Sequence, residues 1–187
     1  MTNHRDVRAQ VARAWWRRLQ PAPDRHWPGD QVTLARLRRA ASSTQALAEA
    51  ETLRLWAELG VGRSQLARVG TVARVLAQVR TAGGSARRGA LVRALGPTEF
   101  GRYETARLKR LRLERLLATR EEEELARAMA RLVQLAGKET PIDPGELAAS
   151  ILAWEEERTR IEWAFAYHDP NRLQHAADAD AAEEAAA

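Results

Sequence analysis

Apolar positions recur at helical spacing along almost the whole chain. Val7, Val11, Trp15 and Leu19 stand four residues apart and predict a first helix from Asp6 to Gln20. The segment PAPDRHWPG then breaks it. Asp30 is placed to cap a second helix with Leu34, Leu37 and Ala41 inward and Arg36 and Arg39 outward. Ser42 and Gln45 have the spacing of a capping box and open a third helix that ends at Gly60. Ser64 opens a fourth, with Leu66, Val69, Ala73 and Leu76 on one face and Gly83-Gly84 as its stop. Ser85 starts a short fifth helix that reaches Gly96-Pro97.

The sixth helix, Arg102 to Ala118, carries Leu108, Leu111, Leu113, Leu116 and Leu117 around its circumference, with Arg107, Arg110, Arg112 and Arg115 between them. Leucines on all sides predict contact from more than one direction. Thr119 and Glu122 read as a capping box for the seventh helix. Its stripe is Leu125, Met129, Leu132 and Ala136, and Gly137 closes it. Glu121 to Glu124 lie where the helix dipole favours negative charge. Asp143-Pro144-Gly145-Glu146 is the clearest helix start: an N-cap Asp, Pro at the first helical position, and Glu to complete the box. The eighth helix reaches Tyr167, with Leu147, Ile151, Trp154, Ile161 and Phe165 on one face. No segment alternates with period two, so the fold class is all-α: about eight helices in a two-lobed bundle. Residues 1–98 are assigned to an N-terminal lobe, 99–168 to a C-terminal lobe, and 169–187 to an acidic, Ala-rich tail expected to be mobile.

Composition sharpens this picture. The chain has 187 residues and a net charge of +5, but the charge is segregated. Residues 1–120 hold 24 basic and 9 acidic side chains, whereas residues 121–187 hold 6 and 16. All basic residues but Lys109 and Lys138 are arginines, whose planar fork suits bidentate phosphate contacts. An Ala- and Arg-rich composition also follows from genome base bias alone, so the segregation by sign is the stronger signal. It is the electrostatic footprint expected for a polyanion partner. With no cysteine there is no disulfide framework, thiol nucleophile or cysteine-ligated metal. The Arg-rich first twenty residues do not read as a signal peptide, and no apolar run is long enough to span a membrane. The expected class is a soluble cytoplasmic protein.

Reactive constellations are missing. His4, His26, His168 and His175 lack metal-ligand spacing, and no cofactor is implied. The stretch Gly83 to Gly89 has the glycines of a phosphate loop without the Gly-Lys-Ser/Thr ending or a preceding strand, and reads as a turn between helices. No Gly-x-Ser-x-Gly elbow occurs, so an enzyme is not expected. A helix-turn-helix regulator is disfavoured because Ser64 to Arg80 reads as one continuous helix. The arginines remain: Arg36, Arg38 and Arg39 on the second helix, Arg63 and Arg68 flanking the start of the fourth, and Arg107 to Arg115 along the sixth. If these faces converge they form a groove for phosphate backbone. Only ten aromatics are present, several in core stripes, so base stacking contributes little. Arg158, on the apolar stripe of the last helix, either pairs with Glu162 or Glu155 or is presented to a ligand.

The segment TPIDPGELAASILAWEEERTRIEWAFAYH resembles the C-terminal signature of the small subunit of the type I-E CRISPR Cascade complex, the CasB family. The matching residues are Pro141-Ile142-Asp143, Trp154, Trp163-Ala164 and Tyr167. AWWRRL, GDQVTLARLRRA and ARLVQLAG are similar to earlier segments of that family, so the resemblance covers about residues 8–168. It implies a non-catalytic helical subunit present in two copies beside the crRNA-binding backbone and the large subunit. Such a subunit helps hold target DNA paired to crRNA and stabilises the displaced strand, without reading sequence and without a membrane. The basic positions in matching segments are Arg36, Arg38, Arg39, Arg110, Arg112, Arg115, Arg158 and Arg160, with Arg63 and Arg68 as weaker candidates. The alternative is a helical adaptor that assembles a complex through protein contacts only. Three features depart from the family pattern: a longer Trp27 loop, His168 in place of an aromatic, and the acidic tail. The tail either competes with DNA for the basic surface or does nothing, and the sequence favours the second.

Overall fold

A computed structural model describes residues 4–22 and 26–169. Ten α-helices are formed among them: α1 (His4–Leu19), α2 (Gln31–Arg39), α3 (Ser43–Leu47), α4 (Ala50–Leu59), α5 (Leu66–Gln78), α6 (Ala90–Leu95), α7 (Arg110–Ala118), α8 (Glu122–Ala136), α9 (Pro144–Leu152) and α10 (Glu157–His168). No strand occurs among the described residues, only isolated bridges between Ala22 and Trp27 and between Ala82 and Ile142. The fold is all-α. The expected tail, beyond Asp169, lies outside the described residues, as does His175.

Local chemistry explains several starts. Asp30 accepts from the Thr33 amide at 2.9 Å; the Thr33 side chain, then that amide, hold its carboxyl below the usual range. Ser42 accepts from the Gln45 amide, and the Gln45 side chain reaches back to the Ala41 amide, one residue earlier than in a standard box. Asp143 accepts from the Gly145 and Glu146 amides while gripping Arg13 of α1 with two bonds of 2.7 Å. Glu146 does not close a box. It is buried, accepting from the Gly89 amide and the Ser150 hydroxyl.

The centre of the fold is α5, which packs against α2, α3, α4, α8 and α9. Val69 through Ala73 and Val75 through Ala77 are all buried, so this helix has almost no solvent face. Gly70 permits its closest crossing: a Cβ there would stand 2.6 Å from the Ser43 carbonyl oxygen of α3. Gly145 plays the same part where α1 crosses α9, since a Cβ at that position would collide with the Ala9 carbonyl and the Arg13 guanidinium. Trp15, Trp154, Trp163 and Tyr167 are the bulkiest buried side chains. Trp154 and Trp163 meet edge to face with centroids 5.0 Å apart. Thr98–Glu99, at the expected lobe boundary, is an exposed turn. The buried residues on its two sides nevertheless form one continuous hydrophobic cluster.

Two expected helices are each divided. The third splits at Ala48–Glu49, which lets α3 bury Ser43 and Ala46 against α5 while α4 turns Thr52, Leu55 and Leu59 toward α1 and α5. The eighth splits at Ala153–Glu156. At that break the Trp154 and Glu155 carbonyls accept from Arg160, and Arg68 adds a further donor to the Ile151 carbonyl, which already accepts from the Trp154 amide. The break shifts the phase of the second half. Thr159, Trp163 and Tyr167 face inward, whereas Ile161 and Phe165, expected in the core, are each 59% exposed. Likewise α7 begins at Arg110 rather than Arg102, after a 3₁₀ turn over Tyr103–Thr105. Leu113 and Leu116 are buried, but Leu111 is 57% exposed, so this helix is contacted from one side. The fourth expected helix ends at Gln78, and residues 81–83 instead bond to Ile142 in both directions.

Candidate nucleic-acid interface

The clearest basic surface lies between α7 and α8. A groove of about 990 Å³ is lined by Arg112 and Arg115 from α7 and by Arg127 and Arg131 from α8, over a floor that includes Leu116 and Leu132. Its one acidic lining residue is Glu124. None of the four guanidiniums makes an ion pair or side-chain hydrogen bond with a described residue. The geometry follows from helical phase. Leu113 and Leu116 point α7 into the core, and Leu125, Met129 and Leu132 do the same for α8, leaving the arginines on the facing outer edges. Like charges at i,i+3 and i,i+4 on one helix repel by a few tenths of a kcal/mol each, so this arrangement does not stabilise the isolated chain. A row of phosphates placed in the groove would relieve that repulsion.

Arg127 and Arg131 are the groove residues that sequence reasoning overlooks. Averaged over residues 121–187 their charge vanishes beneath sixteen acids, yet their i,i+4 spacing opposite the α8 apolar stripe is a usable signal.

A second basic corner forms at the end of α2. Arg36 is exposed and held loosely, 3.6 Å from Glu49. Arg38 donates to the Ala77 carbonyl at 2.6 Å; burial, then the neighbouring Arg80 charge, lower its pKa. Arg39 is exposed and makes no ion pair among the described residues. Arg63, in the 3₁₀ turn before α5, is likewise exposed. Arg110 and Arg158 stand on the surface in i,i+4 pairs with Glu114 and Glu162, at 2.8 and 2.9 Å. Such exposed pairs are screened by solvent and weak, so phosphate can displace either carboxylate readily.

Two expected candidates have structural duties. Arg68 is 6% exposed and bonded to Glu122 at 2.7 Å, Glu155 at 3.0 Å and the Ile151 carbonyl at 3.1 Å. Arg160 is committed to the Trp154 and Glu155 carbonyls. The acidic first turn of α8 is equally occupied: Glu122 by Arg68 and Thr71, and Glu123 by Arg74 and the Ser43 amide. Thr119 and Glu122 form no capping box, because α8 starts at Glu122 with Glu121 in the N-cap position and the Thr119 hydroxyl donates to the Arg115 carbonyl. Burial pushes Glu123 up, but the Ser43 amide and Arg74 outweigh it and hold the carboxyl below its ordinary range.

Elsewhere the chemistry is that of packing. In the glycine-rich stretch Gly83 to Gly89, the Gly89 amide is consumed by the Glu146 carboxylate instead of being free for an anion. Burial pushes Glu146 up to about 7, against its bonds to Ser150 and Gly89 and the Arg5 charge. His168 bonds the Tyr103 hydroxyl at 3.0 Å and meets both tyrosine rings edge-on, filling the terminal aromatic position. No group of metal-ligating side chains occurs among the described residues, and no described helix is long and apolar enough to cross a membrane.

A helical body whose described residues present an unpaired arginine groove has the character of an assembly component. The family profile described as CRISPR-associated protein Cse2 matches residues 33–168. The chain belongs to this Cse2 (CasB) family, and membership makes it a structural subunit of a CRISPR Cascade complex that associates with other Cascade components. Searches of curated proteins and of solved structures returned no match.

Proposed function

We propose that this chain is the non-catalytic small subunit of a type I-E CRISPR RNA-guided surveillance complex, and that its arginines stabilise the crRNA–target DNA heteroduplex and the displaced strand during antiviral defence. The observation that carries this reading is the α7–α8 groove, in which four arginines converge without acidic partners. Contacts to phosphate do not read sequence. In RNA-guided recognition sequence choice belongs to base pairing, and protein contacts to the backbone tip a near-balanced strand exchange. The α2 corner, Arg36, Arg38 and Arg39, together with Arg63, Arg110 and Arg158, supplies further phosphate contacts. The subunit works in the cytoplasm, in two copies, beside the crRNA-binding backbone and the large subunit, and needs no cofactor.

The test is an alanine variant at Arg112, Arg115, Arg127 and Arg131. Helical content should be unchanged, because none of the four supports the core. The slope of log affinity against log salt should fall in magnitude by about 3, since each phosphate contact contributes roughly 0.7 to 0.9. R-loops formed by the reconstituted complex should dissociate faster. A variant with unaltered salt slope and unaltered R-loop lifetime would overturn the groove assignment.

A purely protein-bridging adaptor is the second reading. Its support is the uncovered pair Ile161 and Phe165 beside a 700 Å³ cavity between α6 and α10. It predicts that DNA has no effect on assembly and that all arginine variants are silent.

A further inference from the structure

We propose that the acidic segment following Asp169 docks in the α7–α8 groove and competes there with nucleic acid; this rests on the groove being the phosphate-binding surface. The first support is charge. The groove presents Arg112, Arg115, Arg127 and Arg131 against the single acid Glu124, and the segment 170–187 carries Asp178, Asp180, Glu183 and Glu184 against the single Arg172. Four unpaired cations are thus matched in number by four carboxylates within seven residues of sequence, and the residues between Asp178 and Glu183 other than Asp180 are alanines, small enough to lie over a leucine floor.

The second support is where the chain leaves the fold. The Tyr167 hydroxyl donates to the Leu108 carbonyl at 2.7 Å, and Leu108 is itself part of the groove lining. Asp169, two residues on, is the last described residue and is anchored by Arg93 at 2.8 Å. The segment therefore departs from the end of α10 beside the α6–α10 cavity that Asp169 lines, with α7, which α10 contacts, between that point and the groove. Asp178 and Glu184 follow Asp169 by nine and fifteen residues. Extended chain covers at most ~3.5 Å per residue, so these carboxylates reach up to roughly 30 and 50 Å. A domain of this size has a radius of gyration of about 16 Å. The groove is well within range.

Magnitude decides whether such a contact matters. Exposed ion pairs are individually weak, and four of them in trans give binding only in the millimolar range. A covalent tether, however, holds the carboxylates at an effective concentration that is also on the order of millimolar. Occupancy by the segment and vacancy are then comparable, and apparent affinity for nucleic acid is lowered about two-fold. The segment screens the groove from weak, adventitious polyanions, while a strand presented by the assembled complex displaces it.

The experiment uses the full chain with D178N, D180N, E183Q and E184Q. These positions lie outside the described residues, and circular dichroism of the variant should match that of the unaltered chain. Fluorescence anisotropy with a single-stranded oligonucleotide at low salt should show about two-fold tighter binding than the unaltered chain. A synthetic peptide of residues 170–187, labelled and added to the neutralised chain, should bind, and should be released by the oligonucleotide. Both effects should disappear when Arg112, Arg115, Arg127 and Arg131 are replaced by alanine. Equal oligonucleotide affinity with and without the four acids overturns the docking while leaving the nucleic-acid reading intact. Persistence of the tail effect in the arginine-free groove also overturns it, because the segment would then act elsewhere. If no version binds oligonucleotide but the peptide still binds the groove, the nucleic-acid reading fails, and with it the competition.

Discussion

Arg68 offers the sharpest separation of structural from functional arginines. In an Arg68→Ala variant three charge-assisted bonds vanish together: those to Glu122, Glu155 and the Ile151 carbonyl. They are not equal. The Glu155 side chain is 78% exposed, so its half of the network returns to water and contributes under about 1 kcal/mol. Glu122 is mostly enclosed, retains only Thr71, and becomes a poorly paired carboxylate beside the core. The Ile151 carbonyl, at the broken junction between α9 and α10, keeps the Trp154 amide but loses the charged donor, at a cost of roughly 1 kcal/mol. Together these give a loss of about 3 kcal/mol, a large share of the roughly 5–15 kcal/mol typical of a domain. Urea unfolding followed by tryptophan fluorescence should show a lower midpoint with an unchanged m-value. Affinity of the folded variant for oligonucleotide should equal that of the unaltered chain. An Arg68→Met, Glu122→Leu double variant should recover at least half of the loss, because no charge is then stranded. A stability for Arg68→Ala within about 0.5 kcal/mol of the parent would refute the reasoning, since an ordinary surface arginine behaves that way.

Two further predictions concern the core. Glu146 has a folded pKa raised to about 7 from an ordinary value of 4.5, so between those values the native state binds more protons than the unfolded one. Stability is therefore highest below the unfolded pKa and falls as pH rises through the folded one, by up to about 3 kcal/mol. Glu146→Gln should flatten that decline, gaining on the parent when urea midpoints at pH 8 and pH 5 are compared; an identical pH profile would contradict it. Gly70→Ala would place a Cβ 2.6 Å from the Ser43 carbonyl oxygen and push α3 from α5. A loss of about 1–3 kcal/mol follows, seen as a fall in Tm on the order of 5 °C by calorimetry.

Features set by neighbours in sequence were legible from it. Asp30, Ser42 and Asp143 cap helices because an acceptor two or three residues before an amide is a local arrangement. The interruptions at residues 48–49 and 153–156 were not legible, since they depend on which partners α3, α4, α9 and α10 find. Without the second break, Ile161 and Phe165 fall into the wrong phase. The same distinction holds among the arginines. Arg112 and Arg115 were recognisable from helical spacing, but Arg68 and Arg160 look identical to them until distant carbonyls and carboxylates close around them. Arg127 and Arg131 are hidden by averaging charge over a segment whose acids point elsewhere.

The clasp between Arg13 and Asp143 joins residues 130 positions apart, and α1 packs chiefly on α9. During synthesis, at about 5–20 residues per second, α1 waits roughly 7 to 26 s for the helix that covers it. Through that interval Trp16, buried in the finished fold beside Asp143 and Pro144, lacks part of its cover. The nascent chain is therefore most vulnerable to aggregation in the middle of its translation, and its folding is completed by nearly the last helix to be made.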